Sequence, residues 1–391
     1  MRTIKDLKQS SDQDVRFLNL AARLALRGQG HVEPNPLVGC VLVRDGKVLA
    51  MGHHRRFGDL HAEADALATA RAQGLDVRGC TAYVTLEPCS HHGKQPPCTD
   101  ALIASGVREV VFARNDPHPL ASGGAALLRA AGIEARLCEH SPLATSVSDP
   151  FMKRVTTGLP WVIAKWAQTI DGRVATRTGE SKWISGEWAR RRVHQLRGRV
   201  DAILTGIGTV VADDPLLTAR IGRSPRRVAA RVVADSDLSL PLDSQLATTA
   251  REVPTLLAVE RSMATTMYHA KKRAACDQLG ITIMPIADQG PGNGLDLSEL
   301  LRTLRTQHGV STVMVEAGPG LLGSLFEENL IDEAIVYIAP LMLGDEQAKS
   351  VAIGRVAEKL SNARKFKLYR TKNLGGDVEL TYRKPPLGPF G

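Results

Sequence analysis

Apolar residues along the chain follow two patterns that alternate with each other. Short apolar runs rich in β-branched residues predict strands, and longer segments with apolar residues at helical spacing predict helices. In the N-terminal part, VGCVLV and KVLAMGH flank the polar RDGK and predict a β-hairpin, while TAYVTLEP, REVVFARND and IEARLC predict three more strands. Segments such as AEADALATARAQG and CTDALIASG lie between them and predict helices that end at glycine. This alternation predicts an α/β layered domain of about 140 residues.

A second series of predicted strands and helices follows the polar segment EHSPLATSVSDPF, which we interpret as a linker. The series begins at PWVIAKWAQTIDGRVA and continues through VDAILTG, RRVAARVVADS, VPTLLAV, ITIMPI, VSTVMVEAG and EAIVYIAPLMLG. It predicts another α/β domain. We therefore expect one domain at residues 1–148 and a second at residues 149–391.

The composition narrows the class of protein. The 391 residues are 43% hydrophobic, which is enough for two buried cores and too apolar for a disordered chain. No stretch approaches the roughly 18 apolar residues of a membrane span, and the N-terminus lacks the apolar core of a signal peptide. We expect a soluble, cytoplasmic protein without a membrane partner.

The net charge of +9 fits two kinds of partner. Nucleic-acid binding requires clustered basic residues and aromatic residues that stack on bases, but here the basic residues are scattered and aromatics make up only 4%. Scattered Arg and Lys instead favour small anions such as phosphates and dinucleotides bound in a cleft. We expect a small-molecule ligand and no nucleic-acid partner.

Two of the six cysteines lie in a pattern typical of a metal site. HAE at residues 61–63 opens a predicted helix, Cys89 ends a predicted strand, and Cys98 opens the next helix. The other four cysteines lie singly in ordinary contexts and are interpreted as small buried hydrophobic residues. One imidazole, from His61, and two thiolates form a three-ligand zinc set whose fourth position is open to water. Glu63 can face the same pocket from the first helical turn, where it is a candidate proton shuttle rather than a ligand.

The segment between the two cysteines, SHHGKQPP, is interpreted as a loop over the metal. It makes His91, His92 and Lys94 available to a substrate. A purely structural zinc site is the alternative, and it would take a fourth ligand from His91 or His92. The combination with Glu63 favours a catalytic metal.

In the second domain, two glycine-rich turns follow predicted strands. VEAGPGLLGS contains G-x-G-x-x-G between a strand and a helix, a context in which backbone N–H groups bind a pyrophosphate. A plain tight turn is the alternative, because this motif usually lies in the first strand–helix unit of a dinucleotide-binding fold. TGIGTVVADDP contains the other turn, where Asp213 is either a functional residue or part of an ordinary helix end.

Together these motifs resemble the bifunctional deaminase–reductase family of riboflavin biosynthesis. HAE followed by EPCSHHGKQPPC, with PNPLVGCVLV upstream, is similar to the deaminase half of that family. KWAQTIDGR, TGESKWIS, GIGTVVADDPLLTAR and VEAGPGLLGS occur in the order of its reductase half. The resemblance covers nearly the whole chain. It implies a cytidine-deaminase-like αβα domain followed by a dihydrofolate-reductase-like α/β domain.

The resemblance also implies roles for individual residues, with Zn²⁺ and NADPH as cofactors. In the first domain it implies a pyrimidine pocket with the substrate-binding residues Asn35, His54, His91 and Lys94, whereas Asp65 stands where the family often has His. In the second domain it implies NADPH contacts from Ala167, Trp183, Thr209, Asp213, Ser236, Gly318, Pro319, Gly320, Leu321, Leu322, Gly323 and Ser324. It implies contacts to a sugar phosphate from Lys165, Ser181, Arg197, Leu216, Arg220 and Glu316. The guanidinium groups of Arg197 and Arg220 suit a phosphate monoester, and Asp213 is also a candidate catalytic residue.

The implied activity has two steps. The first is hydrolytic deamination of 2,5-diamino-6-(5-phosphoribosylamino)pyrimidin-4(3H)-one, with Glu63 moving the proton, and the second is NADPH-dependent reduction of the ribosyl to a ribityl chain. A homodimer or higher homo-oligomer is expected. Other classes of protein also fit parts of the pattern: a zinc-dependent nucleic-acid base deaminase with an appended binding domain, a non-catalytic zinc module, or a deaminase whose second half has lost reduction.

Overall fold

The computed structural model describes residues 4–220, 222, 224–290, 294–354 and 357–385, with side chains from residue 12 onward. The chain divides into two compact units, Met1–Gly158 and Leu159–Gly391. The polar segment interpreted as a linker belongs to the first unit and is largely helical, at Pro142–Ser146 and Asp149–Thr157. Its helix signals are local, because the Ser141 side chain accepts a hydrogen bond from the Ala144 N–H and a proline occupies the first turn of each helix.

The first unit is an αβα sandwich. Its elements in chain order are α1 (Ile4–Ala25), β1 (Gly39–Arg44), β2 (Lys47–His53), α2 (Ala62–Ala72), β3 (Thr81–Val84), α3 (Cys98–Ser105), β4 (Glu109–Phe112), α4 (Gly124–Ala130), β5 (Glu134–Leu137), α5 (Pro142–Ser146) and α6 (Asp149–Thr157), with a 3₁₀ turn at Leu26–Gly28. Within the described residues the strand order is β2-β1-β3-β4-β5. β1 is antiparallel to β2 and β3, whereas β3, β4 and β5 are parallel.

Successive residues of the inner strands enter two different cores. In β1, Cys40 and Leu42 pack on the face covered by α2, α3 and α4, while Val41 and Val43 pack on the face covered by α1 and α5. Burial on both faces explains why these strands are continuous apolar runs in the sequence. Helix α1, which the predicted element order did not include, supplies Phe17 and other apolar residues at helical spacing to the second core.

The second unit continues the chain order. It contains β6 (Trp161–Gln168), α7 (Glu187–Arg197), β7 (Ala202–Gly206), α8 (Ile207–Asp213), β8 (Ala230–Ala234), α9 (Gln245–Thr248), β9 (Thr255–Glu260), α10 (Arg261–Thr265), α11 (Ala270–Leu279), β10 (Ile281–Ile286), α12 (Leu297–His308), β11 (Thr312–Val315), α13 (Pro319–Glu327), β12 (Glu333–Ile338), β13 (Lys367–Leu374) and β14 (Asp377–Arg383). Short 3₁₀ segments lie at Met267–His269 and Leu360–Asn362.

The second sheet is parallel except at one end. Its strand order over the described residues is β10-β9-β8-β7-β11-β6-β12-β14-β13, and β14 is antiparallel to both neighbours. Helices cover both faces over two separate cores. The predicted strands of this half all form, whereas the β13–β14 hairpin was not predicted. The Gly-Gly turn and the alternating run DVELTYR of β14 were the available signals for it.

Candidate active sites

Two helix starts and a strand end bring three potential metal ligands together in the first unit. His61 precedes α2, Cys98 begins α3, and Cys89 lies shortly after β3. His61 Nδ1 lies 3.5 Å from Cys89 Sγ and 3.4 Å from Cys98 Sγ. The three donor atoms lie within 4.8 Å of one another. One imidazole nitrogen and two sulfurs in this arrangement fit a Zn²⁺ ion with a fourth position left for another ligand.

The surroundings of the cysteines favour negative charge at this point. The backbone N–H of Cys98 donates to Cys89 Sγ over 3.4 Å. Hydrogen bonding from the Cys98 thiol, helped by His61, lowers the pKa of Cys89 to about 4. The hydrogen bond to Cys89, together with burial, raises the pKa of Cys98, so the negative charge of the pair lies on Cys89. The site therefore presents an anionic sulfur to a cation.

Glu63 is the second residue of α2 and is almost completely buried beside these ligands. Its carboxyl group contacts the Cys98 side chain. Burial, reinforced by the charge of Cys89, raises the pKa of Glu63 to about 7. The helix start therefore places His61 and Glu63 around one point although they lie only two residues apart.

A cavity of about 260 Å³ opens beside the three ligands. It is lined by all eight residues that the sequence analysis assigned to the first domain: Asn35, His54, His61, Glu63, Cys89, His91, Lys94 and Cys98. The wall also includes residues that the sequence analysis did not assign, among them Phe57, Asp116, His118, Phe151 and Arg154. Phe151 and Arg154 both lie on α6, and Phe151 is the last residue of the segment interpreted as a linker. That segment therefore contributes a residue to the pocket, which its polar composition did not indicate.

Hydrogen bonds fix the orientation of Asn35 and His54. His54 Nδ1 lies 2.9 Å from the carbonyl oxygen of Leu60, which can only accept, so this nitrogen carries the proton. The His54 Nε2 atom is then an acceptor for Asn35 Nδ2 at 3.2 Å. Burial lowers the pKa of His54, which keeps the ring neutral and the pair intact. Asn35 is left with its amide oxygen available to a ligand.

Asp65 has a structural role in this chain. It is buried on α2 and does not line the cavity. Its carboxylate accepts from the His53 N–H at 3.0 Å and from Arg55 Nε at 3.1 Å. These bonds fix the backbone on either side of His54. Asp65 therefore stabilises the cavity wall without contacting the cavity.

In the second unit, a larger cleft of about 1380 Å³ lies at the carboxyl ends of parallel strands. It is bordered by the ends of β6, β7, β8 and β11 and by the turns that lead into α8 and α13. Ligands of open α/β sheets bind at this edge, because the strand ends and helix starts expose backbone groups there. The cleft thus has the position expected of a nucleotide and substrate site.

Almost all residues assigned to the second domain line this cleft. They are Lys165, Ala167, Ser181, Trp183, Arg197, Thr209, Asp213, Leu216, Arg220, Ser236, Glu316, Gly318, Pro319, Gly320, Leu321 and Ser324. Leu322 and Gly323 do not line it. Leu322 is buried in the core, and a Cβ on Gly323 would lie 1.8 Å from the Ile353 carbonyl oxygen. Both residues therefore pack helix α13 against the rest of the unit and do not face the cleft.

The two glycine-rich turns contact each other at the edge of the cleft. The Gly318 N–H donates to Thr209 Oγ1 over 3.2 Å, and Gly318 caps the nine-residue helix α13. A Cβ on Gly320 would meet no atom within 4 Å, so the backbone is open to a ligand on that side. A free helix start beside an open glycine backbone fits the pyrophosphate of a dinucleotide. Trp183 is 68% exposed and packs under the guanidinium of Arg190, so its ring is available for stacking.

An ion-pair network occupies the middle of the cleft. Glu316 accepts from Arg197 Nε at 2.6 Å and from Arg197 Nη2 at 3.0 Å, and Lys165 Nζ lies 3.7 Å from the same carboxylate. Arg197 Nη1 also donates to the Thr218 carbonyl over 3.1 Å. The Arg197 guanidinium is therefore bound by Glu316 on two of its nitrogens. Contacts from Arg197 and Arg220 to the sugar phosphate stay predictions.

Charge determines the protonation of this network. Burial favours the neutral form of Glu316, but Arg197 and Lys165 outweigh it and lower the pKa of Glu316 to about 2. Burial lowers the pKa of Lys165, and the charge of Glu316 opposes that shift. Glu316 is thus a permanent anion that accepts hydrogen bonds.

Comparison with known proteins supports both halves of the chain. Residues 160–380 match the RibD C-terminal domain, and residues 11–114 match the cytidine and deoxycytidylate deaminase zinc-binding region. The riboflavin biosynthesis protein RibD of Escherichia coli is 39% identical over 367 residues, covering 94% of this chain and 98% of the relative. The protein of the same name from Actinobacillus pleuropneumoniae is 38% identical over 370 residues, covering 94% and 95%.

Solved structures show the same two-domain architecture. Acinetobacter baumannii RibD in one crystal form is 35% identical with a TM-score of 0.75, covering 95% of this chain and 99% of that chain. A Thermotoga maritima protein, described as a diaminohydroxyphosphoribosylaminopyrimidine deaminase/5-amino-6-(5-phosphoribosylamino)uracil reductase, is 30% identical with a TM-score of 0.77, covering 96% and 99%.

Fold and site together define an enzyme in which a zinc-binding deaminase domain precedes a reductase domain of the NADPH-using type. The identity and coverage of the relatives then fix the family. The chain belongs to the RibD family of bifunctional riboflavin-biosynthesis deaminases and reductases. The predicted family, fold class and pair of activities are confirmed, and they are favoured over a nucleic-acid base deaminase. Within the described residues, every helix is too short or too polar to cross a lipid bilayer.

Proposed function

We propose that the first unit deaminates diaminohydroxyphosphoribosylaminopyrimidine and that the second unit reduces 5-amino-6-(5-phosphoribosylamino)uracil. Both compounds are those in the description of the Thermotoga maritima relative. The observation that carries the proposal is the convergence of His61, Cys89 and Cys98 beside Glu63 in one cavity. A small phosphorylated pyrimidine is the expected ligand. The boundary at residues 148 and 149, the cytoplasmic location and a homo-oligomeric state stay predictions.

His61, Cys89 and Cys98 are the residues that would hold zinc. When bound, zinc supplies the Lewis acidity that makes water nucleophilic near neutral pH. Glu63 takes the proton of the attacking water and returns it to the departing amine nitrogen, so that ammonia leaves. Its burial excludes bulk water from this proton transfer.

The pyrimidine is oriented by the side chains opposite Glu63. Asn35 donates to His54, so its amide oxygen accepts from an N–H of the substrate ring. His91 and Lys94 also line the cavity, and they are the residues expected to hold the remainder of the substrate. These contacts hold the reacting carbon near the metal and contribute to catalysis through orientation.

In the reductase cleft, NADPH supplies the hydride when it is bound. The start of α13 would hold its pyrophosphate, and Ala167, Trp183, Thr209 and Ser236, which line the same cleft, would contact the rest of the cofactor. Glu316, held by Arg197 and Lys165, accepts hydrogen bonds from sugar hydroxyls. Arg220 binds the phosphate together with Ser181 and the backbone at Leu216.

Asp213 is the candidate for proton handling or for fixing the open sugar. It ends α8 at the cleft, and its carboxylate lies 3.6 Å from Lys182 Nζ. Asp213→Asn should therefore slow NADPH oxidation while ammonia release is unchanged.

A coupled assay tests the proposal. Ammonia release is measured with and without a chelator, and NADPH oxidation is measured in a Glu63→Ala variant supplied with the deaminated compound. The proposal predicts that the chelator and the variant each abolish ammonia release while reduction persists. Ammonia release that survives complete zinc removal would refute the assignment of the first site.

A further inference from the structure

His194 lines the reductase cleft, although neither the sequence motifs nor the proposed mechanism assigns it a role. It lies on α7, one turn before Arg197, so the two side chains are neighbours on the same helix face. His194 Nδ1 lies 3.1 Å from the Thr218 carbonyl oxygen and 3.2 Å from the Arg220 backbone nitrogen. A single imidazole nitrogen therefore contacts the loop that follows α8 at two points.

This loop, which consists of residues 214–220 and is called the cleft loop below, carries the predicted substrate contacts Leu216 and Arg220. It includes Leu217, which is buried in the core and has a φ of 50°. A leucine adopts this left-handed conformation only where the surrounding structure holds it. Among the described residues, the Arg220 N–H donates to His194 Nδ1 and to no other atom. The position of Arg220 at the end of the cleft loop thus depends on one hydrogen bond.

The protonation of His194 decides whether this hydrogen bond exists. The Thr218 carbonyl can only accept and the Arg220 N–H can only donate, so Nδ1 cannot bond both in one state. The Thr218 carbonyl also accepts from Arg197 Nη1 over 3.1 Å, and it therefore keeps a partner in either state. The Arg220 N–H has an acceptor only while Nδ1 carries no proton. His194 thus holds Arg220 as a neutral ring with its proton on Nε2.

The charged groups around His194 favour the neutral ring. Burial, followed by the charges of Arg197 and Arg220, lowers the pKa of His194, while the Thr218 carbonyl and Glu316 oppose this shift. Glu316 is already bound by Arg197 on two nitrogens, so its charge is largely balanced. Protonation of His194 would add a positive charge beside two guanidinium groups and would leave the Arg220 N–H without an acceptor.

We infer that His194 is a positioning residue of the reductase, which fixes the backbone of Arg220 so that the Arg220 side chain stays at the cleft. This inference rests on the proposed function, since Arg220 is the residue proposed to bind the phosphate of the reductase substrate. The Arg220 guanidinium lies close enough to Arg197 and Glu316 for their charges to act on it. Substrate binding, and not hydride transfer, should therefore depend on the hydrogen bond from Arg220 to His194.

Two variants of the full chain test this hydrogen bond. The amide oxygen of His194→Gln can accept from the Arg220 N–H at every pH, whereas His194→Ala removes the acceptor. NADPH oxidation is measured with varied 5-amino-6-(5-phosphoribosylamino)uracil. At about pH 8 we expect KM for this compound to rise about tenfold in His194→Ala and to stay at the wild-type value in His194→Gln. Both variants should keep the wild-type kcat and the wild-type KM for NADPH.

The pH profile provides a readout that a merely structural role would not change. As the pH falls below about 6.5, the wild-type KM should rise relative to that of His194→Gln, because only the wild type loses its acceptor by protonation. The phosphate of the substrate titrates in the same range, but it does so equally for both chains and cancels in the ratio. His308→Gln, at the exposed end of α12, provides the control and should match the wild type at every pH.

The outcomes that contradict the inference are distinct from those that contradict the proposed function. A ratio of KM values that does not change with pH would overturn the inference. Equal increases in the two KM values of His194→Ala would also overturn it, because they would show that α7 as a whole has moved. Ammonia release, measured on the same chains at about pH 8, should be equal in all of them. A wild-type chain that releases ammonia but does not oxidise NADPH with this compound would instead refute the proposed function of the second unit.

Discussion

At the residue scale, the deamination step depends on Glu63. Its carboxyl group is buried beside the metal ligands, where it can reach both the water and the leaving nitrogen. Glu63→Gln keeps the size of the side chain but removes the proton-accepting oxygen. We expect ammonia release to fall about 10²- to 10⁴-fold, because this is the usual contribution of a general acid–base residue.

The zinc content of the variant shows whether Glu63 transfers protons or is itself a zinc ligand. Metal analysis of Glu63→Gln should give the same zinc per chain as the wild type, since His61, Cys89 and Cys98 remain. Asp100→Asn, on the exposed side of α3, provides a control that should change neither quantity. Loss of zinc from Glu63→Gln would show that the carboxylate is a ligand.

Glu316 offers a prediction about stability and pH. Its pKa is lowered from 4.5 to about 2 in the folded chain. A lowered carboxyl pKa contributes stability that is complete above the unfolded value and is lost as the pH falls toward the folded value. Glu316→Gln also leaves the buried cations Arg197 and Lys165 unpaired, so we expect the free energy of unfolding to fall by about 3 kcal/mol at pH 7.

Denaturant titrations at several pH values measure this effect. The difference between wild type and Glu316→Gln should be constant above about pH 4.5 and should shrink steadily toward about pH 2. A difference that does not depend on pH in this interval would contradict the ion-pair account.

The metal ligands could be predicted from the sequence, but several other residues of the two sites could not. His61, Cys89 and Cys98 were predictable because few combinations of side chains bind zinc. The ion pair between Arg197 and Glu316 was not predictable, because Glu316 lies 119 residues further along the chain. His118 and Arg154 carried no motif, and only the fold brings them to the cavity.

At the scale of elements, helix α13 depends on close packing at Gly323. A Cβ there would lie 1.8 Å from the Ile353 carbonyl oxygen, whereas a Cβ on Gly320 would meet nothing within 4 Å. Gly323→Ala must push α13 away from its neighbouring segment, and we expect a loss of about 1–3 kcal/mol in the free energy of unfolding. NADPH binding should weaken with it, because the pyrophosphate-binding backbone moves.

Gly320→Ala is the matched control on the same helix. It should leave stability unchanged and weaken only NADPH binding, since its methyl group points into the open cleft. Unfolding curves and NADPH titrations of both variants separate the two effects. Equal stability of the two variants would mean that α13 does not require the close approach at Gly323.

Element prediction succeeded where apolar runs were unbroken. The buried parallel strands of both sheets were recognised for this reason. Helix α5 and the first three residues of α6 were interpreted as a linker because the segment EHSPLATSVSDPF is polar and contains three serines and two prolines, although serine and proline also begin helices. The β13–β14 hairpin was missed because neither strand is a continuous apolar run. Most residues of β13 are exposed, and buried and half-buried residues are mixed along β14.

At the scale of the whole molecule, the two compact units should respond separately to metal removal. All four tryptophans, Trp161, Trp166, Trp183 and Trp188, belong to the second unit, so tryptophan fluorescence follows that unit alone. Chelation should destabilise the first unit, because its three ligands lose the ion that joins two helix starts and a strand end. We expect the tryptophan unfolding transition and NADPH oxidation to remain unchanged.

Circular dichroism of the same samples follows both units. It should show a second, earlier transition only after chelation. A shift of the tryptophan transition on zinc removal would contradict the independence of the two units.

The central claim is that zinc bound by His61, Cys89 and Cys98 carries out deamination with Glu63. Zinc content and ammonia release measured together on one series of samples, from fully loaded to fully chelated, test it most directly. The account predicts one zinc per active chain and ammonia release proportional to zinc, with Cys89→Ala and Cys98→Ala chains empty and inactive. Full ammonia release from metal-free chains, or from a chain lacking both cysteines, would contradict it.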